Sequence, residues 1–460
     1  MDADVIAKLL ADLAQVVGAG QVLTDPQLTA RYTADWMGRP SGPARAVVRP
    51  ANTAEVSAVL AVCAAFGAPV LPQGGITGLV GGSVPAPAAP GTLAPIIVST
   101  LRMDHLGPVD PLTGQVVVGA GATLAVVRAH AAAAGWEYGV DIAARDSATI
   151  GGTLATNAGG IRVCAFGMTR AQVAGIEAVL PDGSVISHLQ GLPKDNTGYD
   201  LAGLLVGSEG TLGVITAATL RLHRPAAETT LALIGVNDYT NALELVARVR
   251  AAGPRLLAAE IVDRRGTELV CEVVGLPWPL ADRSWPHLLL VEVEGSEMDL
   301  PDDADAIMAF DDSDYRRIWA YRERQTEVTS AVAAQHKAFL HKLDVSIPSS
   351  AMQDFAADLA VLLSGDATVV DWSVFGHVAD GNLHLEIIGP AQSDERVVRS
   401  CLELVAEHSG SISAEHGVGR AKAQYLSLTR SAPEIAAMRS IKAALDPQSI
   451  MAPGVIFPID

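Results

Sequence analysis

The sequence predicts an α+β fold in two domains, the second built on an antiparallel sheet flanked by helices. Three observations predict it. At 460 residues the chain is too long for one simple core, and two domains are the natural division. Glycine clusters recur up to Pro225 and then stop, and alternating strands and amphipathic helices fill residues 229–365. The early strands also form a compact β-α-β unit that feeds straight into a glycine loop.

In chain order, residues 5–17 carry Ile6, Leu9, Leu10, Leu13, Val16 and Val17 at helical spacing and predict an opening helix. The polar stretch 32–45, with Pro40 and Pro43, reads as irregular. Residues 46–50 read as a strand, Asn52 or Thr53 caps a helix running to Phe66, and 69–71 form the next strand. Residues 71–85 then hold five glycines in fifteen positions and no charge. Such a loop can gather backbone N–H groups into one concave nest that suits a pyrophosphate, though the loop alone reads equally as a surface turn. It is neither a Walker loop nor a Gly-x-Gly-x-x-Gly fingerprint. Further strands are expected at 96–98, 114–119, 173–180 and 214–216, with a helix over 124–134 and two more small-residue stretches at 146–160 and 207–213. In the second domain, 231–236 and 288–293 read as strands and 241–252 as a helix, giving a sheet with helices on one side.

Charge and composition exclude several partners. Lys+Arg 32 against Asp+Glu 51 gives a net charge of −19, which disfavours nucleic acid and anionic membrane surfaces. Aromatic residues are only 4%, too few for base-stacking platforms. No apolar run reaches the roughly 18 residues of a membrane span. The acidic opening Met1-Asp2-Ala3-Asp4 lacks a signal peptide's basic start, so a cytoplasmic location is expected. Cys63, Cys164, Cys271 and Cys401 are scattered and read as reduced thiols.

A second constellation lies at 369–388. The Asp380-Gly381 pair signals a hairpin turn, with His377 before it and His384 after it. Such a hairpin sets two imidazoles side by side, as a Zn²⁺ or Mn²⁺ site requires, and Glu415 is the best third ligand. Spacing alone leaves open ordinary strand histidines satisfied by carbonyls. His416, beside Glu415, reads as a general base or a polar loop residue. Arg322 and Lys342 read as a carboxylate clamp or as solvated charges, with Thr326 one turn beyond Arg322 on the same helical face.

Taken in order, these stretches resemble the FAD-linked dehydrogenases of D-2-hydroxy acids, within the vanillyl-alcohol-oxidase type flavoproteins. The resemblance is carried by residues 72–82, 149–152, 157–160, 196–201, 207–213, 342–348, 377–384, 413–417, 445–447 and 452–454. It implies a two-subdomain FAD-binding domain of PCMH type over 1–225, a substrate and metal domain over 226–425, and a segment 426–460 returning to the FAD domain. Pro72, Gly74, Gly75, Ile76, Thr77, Gly78, Gly82 and Ser83 are then expected to cradle the pyrophosphate of a noncovalent FAD. Asp146, Ser147, Thr149, Ile150, Gly151, Gly152, Thr156, Asn157, Gly159 and Gly160, with Gly210 and Ile215, are expected around the adenine and isoalloxazine. His377, His384 and Glu415 resemble ligands of a divalent metal (Zn²⁺ or Mn²⁺), and His416 resembles the catalytic base. Arg322, Thr326 and Lys342 fall on substrate-carboxylate positions.

One departure concerns Glu386, which stands where relatives specialised for D-2-hydroxyglutarate often carry an asparagine that touches substrate. A carboxylate there would repel a second substrate carboxylate unless protonated or paired. The expected activity is oxidation of a D-2-hydroxy acid (D-2-hydroxyglutarate, D-lactate or similar) to the 2-oxo acid by hydride transfer to flavin N5. Electrons would pass to an electron-transfer flavoprotein, a quinone or a cytochrome, and members of the family are often homodimers. The alternatives are a glycolate-oxidase-subunit-like or oxygen-using enzyme of the same fold and a catalytically silent flavin-binding protein. An ether-lipid synthase would need a run of histidines that is absent here.

Overall fold

The structure, a computed structural model, describes residues 2–39, 41–87 and 93–458, so Pro40 of the stretch expected to be irregular lies outside it. The chain forms two compact units, each discontinuous in sequence. Met1–Gly159, Gly167–Pro225 and His416–Asp460 make the first, and Gly160–Phe166 with Ala226–Glu415 the second. The returning segment therefore begins ten residues earlier than residue 426. The reason is local: the Arg420 and Ala421 N–H groups donate to the Val80 carbonyl (3.0 and 3.1 Å), within the first unit.

The first unit contains two four-stranded sheets. In one, Ala46–Val48, Ile96–Ser99 and Val70–Gln73 run parallel, with Val22–Leu23 antiparallel at the edge. The three parallel strands are apolar and almost wholly buried, as strands covered on both faces must be. Helices Ala3–Val17 and Thr53–Phe66 pack on this sheet, the second started by the Asn52 side chain accepting from Glu55 N–H. The C-terminal segment joins the same sheet where Met451 bridges Val70. In the other sheet, Gln115–Gly119, Val214–Arg221, Val173–Val179 and Val185–His188 are antiparallel and share a core with helices Leu124–Ala133 and Ile150–Thr156. The expected irregular stretch loses its first two residues, since Tyr32 and Thr33 end a helix, Pro26–Thr33. Asp25 caps that helix and Pro26 opens it, a start signal readable in the sequence.

The second unit is one seven-stranded antiparallel sheet. Its order is Ala306–Met308, Thr229–Val236, His287–Glu294, Leu256–Asp263, Asp371–His377, Asn382–Ile388 and Leu340–Ser346. Helices cover both faces rather than one. Asp312–Glu323 and Gln325–His336 pack over Leu231, Leu233, Leu288 and Leu290. Tyr239–Ala251 lies on the other face, where Tyr239 meets the ring of His287, the pleat neighbour of Leu288, at 5.0 Å. Both faces must be covered because the inner strands bury both of their sides: every residue of Asn382–Ile388 is buried, the polar Asn382, His384 and Glu386 included. All four cysteines are free thiols, and no helix among the described residues is long and apolar enough to cross a membrane.

Candidate active site

In the first unit the glycine loop leaves the strand Val70–Gln73, which its parallel neighbour Ile96–Ser99 holds in register. The Gln73 amide donates to the carbonyls of Tyr32 (2.8 Å) and Ser83 (2.6 Å), pinning both ends of the loop. Ile76 adopts φ +60°, a left-handed turn unusual for a β-branched residue. Gly74 and Gly75 face the segment 147–149 so closely that a Cβ at Gly75 would land on the Ser147 carbonyl oxygen, and one at Gly74 on the Thr149 hydroxyl. Thr149 in turn caps the helix Ile150–Thr156 by accepting from Gly152 N–H at 3.3 Å.

Several expected cofactor residues use their polar groups within this unit. Ile150 and Gly151 donate to the Ala122 and Ala120 carbonyls, Thr156 donates to Gly152, and Asn157 accepts from Arg170 N–H. Pro72 lies under Gly210, and Ile215 is buried in the core. Others remain open: Asp146 and Ser147 are exposed, and Gly78 has space around it. Ser83 Oγ and Gln73 Oε1 are buried without a hydrogen-bond partner. A tight glycine cradle with buried polar atoms still to be satisfied fits a pyrophosphate-bearing cofactor. Gly160 falls in the second unit, where its N–H donates to Glu415 Oε2 at 2.6 Å.

The second unit brings the predicted ligands together. The hairpin forms as expected, with Gly381 at φ +76° in its turn, and His377 pairs with Asn382 while Phe375 pairs with His384. Residues two apart on a strand share a face, so both imidazoles lie on one side of the sheet. Their Nε2 atoms are 3.5 Å apart, and each is 3.8 Å from Glu415 Oε1. A circle through three atoms at those spacings has a radius of about 2.1 Å, the length of a metal–nitrogen or metal–oxygen bond.

Behind this triangle stand two carboxylates absent from the sequence-based set. Glu260 Oε1 bonds His377 Nδ1 at 2.6 Å, and Asp344 Oδ1 lies 3.8 Å from His384 Nδ1. The Glu260 bond leaves His377 Nε2 to point inward, the usual way a carboxylate orients a metal-binding histidine, while Asp344 sets a negative charge behind His384. Burial pulls the His377 imidazole down, but Glu260 and Glu415 outweigh it and hold its pKa well above the ordinary histidine value. Burial lowers His384 to about 3, so it stays neutral and able to ligate. Burial favours protonation of Glu415, yet His377 prevails and holds the carboxyl low. Two imidazoles among two buried carboxylates and the half-buried Glu415 form a donor set suited to a divalent cation. The signal for Glu260 was one acid amid the apolar residues of the strand Leu256–Asp263, which ends on a second acid, and for Asp344 its cross-strand pairing with His384.

The four residues expected at the substrate lie on this same face. Arg322 ends the helix Asp312–Glu323, and Thr326 opens the next one, Gln325–His336, so a junction at Arg324 separates what reads as one turn of a single helix. Arg322 Nε donates to Glu260 Oε2 at 2.6 Å, and its guanidinium lies over the Phe375 ring at 4.5 Å. Lys342 and Glu386 are cross-strand partners with Nζ and Oε1 3.6 Å apart, and Thr326 donates to Glu386 at 3.0 Å. Burial lowers the Lys342 pKa against the opposing pull of Glu386.

His416 is half-buried and is the first residue of the chain's return to the first unit. The backbone after it is clamped by Glu209, whose two oxygens accept from Val418 and Gly419 N–H, both at 2.8 Å. Glu209 itself holds φ +51°, and a Cβ at Gly417 would press on its carboxylate at 2.9 Å.

Comparison with known proteins identifies the family. Residues 44–188 match the FAD binding domain model, and residues 225–456 match the model for FAD linked oxidases, C-terminal domain. The chain is 35% identical to the mitochondrial D-2-hydroxyglutarate dehydrogenase of Bos taurus, covering 98% of this chain and 83% of that protein. It is also 35% identical to the D-2-hydroxyglutarate dehydrogenase of Xanthomonas citri pv. viticola (97% and 96%). Identity is 34% to a Schizosaccharomyces pombe protein named as a mitochondrial D-lactate dehydrogenase (94% and 85%). Among solved structures, p-cresol methylhydroxylase shares the fold with a TM-score of 0.75 at 15% identity, covering 100% of this chain and 98% of that one. Two domain models in the expected order, together with full-length relatives at a third of identical residues, are decisive: the chain belongs to the family of FAD-linked oxidoreductases that contains the D-2-hydroxyglutarate and D-lactate dehydrogenases.

Proposed function

We propose that this protein oxidises a D-2-hydroxy acid to the 2-oxo acid, using FAD and a divalent metal, and passes the electrons to a separate acceptor. The observation that carries the metal-assisted reading is the triangle of His377, His384 and Glu415, sized for one ion and backed by Glu260 and Asp344. When bound, FAD supplies a two-electron acceptor and the metal a Lewis acid beside the substrate hydroxyl. The loop 72–83 would hold the cofactor's phosphates, and the stretch 146–160 its adenine and isoalloxazine ends. Arg322 and Lys342 orient the substrate carboxylate, which fixes Cα in place and removes the entropy of search. Glu260 limits the swing of Arg322, and Phe375 stacks beneath its guanidinium. His416 takes the hydroxyl proton as the Cα–H bond breaks. The acceptor is an electron-transfer flavoprotein, a quinone or a cytochrome.

Anaerobic mixing of the yellow holoprotein with a panel of D- and L-2-hydroxy acids tests the reading. Bleaching by D-acids only is expected, and no bleaching by any of them would overturn it. His416→Ala should keep the oxidised flavin spectrum but slow bleaching by 10²–10⁴-fold, on the order of what a general base contributes. Stripping the metal with a chelator should lower the rate, and adding back Zn²⁺ or Mn²⁺ should restore it.

A further inference from the structure

In the first unit the carbonyls and the amides of the glycine loop meet opposite fates. Arg420, on the returning segment, donates through Nη1 to the carbonyls of Gly81 (2.5 Å) and Val84, and through Nε to that of Pro453 at 3.3 Å. The Arg420 and Ala421 N–H groups take the Val80 carbonyl, Arg39 takes that of Leu79, and the Gln73 amide takes that of Ser83. Gly419 permits this approach, since a Cβ there would fall on the Val80 carbonyl oxygen. The peptide bonds are trans, so each C=O and the N–H that follows it point in opposite directions. Carbonyls drawn towards the two arginines therefore turn the Val80, Gly81 and Gly82 N–H groups the other way. Among the described residues, no N–H of residues 74–83 donates to a protein acceptor.

The two guanidiniums differ in charge balance. Arg39 has Asp35 3.9 Å away, whereas no carboxylate pairs with Arg420 among the described residues. Burial pulls the Arg420 pKa down to about 10 with no acid opposing it, and the group is still charged at neutral pH. Carbonyls satisfy its N–H groups but carry only partial charges, so a full positive charge stands behind the loop. Such a charge, half-buried and without a counter-ion, is costly until an anion completes the site.

We propose that Arg420 is the positioning residue of the phosphate site: it holds the loop carbonyls from behind, presents the amides to the cofactor's pyrophosphate and supplies the positive charge that balances it. The inference rests on the proposed seating of FAD in this loop.

The test titrates the full-length apoprotein with FAD and with riboflavin, which keeps the isoalloxazine but carries no phosphate. Arg420→Gln keeps N–H donors and removes the charge. It should weaken FAD binding by roughly 10–100-fold, the range of one charge pair at an effective dielectric of about 20, and riboflavin binding by less than about threefold. Arg420→Lys restores the charge and should bind FAD more tightly than Arg420→Gln. Equal losses for FAD and riboflavin, or Arg420→Lys no better than Arg420→Gln, would mean a merely structural arginine and overturn the proposal. The wild-type protein supplies a measurement that does not depend on the variants folding. ADP should displace FAD at least ~10-fold more effectively than adenosine, and equal potency overturns the proposal. A wild-type apoprotein that takes up no FAD overturns the cofactor reading together with this one, whereas unchanged FAD binding in Arg420→Gln overturns this one alone.

Discussion

Glu260 shows how much one residue can organise. One of its oxygens bonds His377 and the other holds Arg322, so a single buried side chain ties the proposed metal ligands to the proposed carboxylate clamp. Replacing it by glutamine keeps the shape but removes the charge behind His377. Glu260→Gln should weaken Zn²⁺ or Mn²⁺ binding by about 10–100-fold, read by metal titration, with the flavin absorbance unchanged. Wild-type metal affinity in that variant would mean that Glu260 is only a strand residue. At this scale the sequence was legible where residues repeat a recognisable order, as at His377, His384 and Glu415. It was not legible where function depends on a neighbour across the sheet. Glu260 faces His377 from a strand 117 positions away, and no local spacing encodes that pairing.

Single elements were read well when their ends carry chemical signals. Asn52 starts its helix as expected, and the Asp380-Gly381 pair turns the hairpin. The side of the sheet on which each helix packs was not readable, because periodicity reveals an apolar stripe and not its partner. His287 illustrates the consequence. It lies under the helix Tyr239–Ala251, on a face expected to be uncovered, and burial lowers its pKa from 6.5 to about 4. The folded state therefore binds this proton less readily than the unfolded chain, so stability is retained above pH 6.5 and falls as the pH drops from 6.5 towards 4. The loss reaches about 3 kcal/mol from this group. His287→Gln should flatten that part of the pH–stability curve, measured by urea unfolding at several pH values. The glycine loop makes a second prediction at this scale. Gly75→Val should abolish FAD retention through collision with the Ser147 carbonyl, giving a colourless protein with the metal site intact.

Over the whole molecule, the glycine loop proposed to hold the flavin and the triangle proposed to hold a metal belong to different units, so their ligands should stabilise different parts of the chain. Differential scanning calorimetry should resolve two transitions. Free FAD at about 100 times its Kd should raise one of them by about 2.7 kcal/mol of stability, and Zn²⁺ should raise the other. A single transition moved equally by both ligands would show that the units unfold as one. The two-unit plan was legible from the change in texture near Pro225, but the excursion of Gly160–Phe166 into the second unit was not, because nothing in that short run differs in composition. Because His416–Asp460 belongs to the first unit, that unit is completed late in synthesis. A ribosome leaving Pro225 has 190 residues (415 − 226 + 1) to make before the missing piece begins. At 5–20 residues per second that is about 10–40 s during which Val70 lacks its Met451 neighbour and the loop at Val80 lacks Arg420. The unit proposed to hold the flavin is thus finished last, although most of its residues are made first. A nascent chain stalled anywhere before His416 should have no yellow colour, however long FAD is supplied.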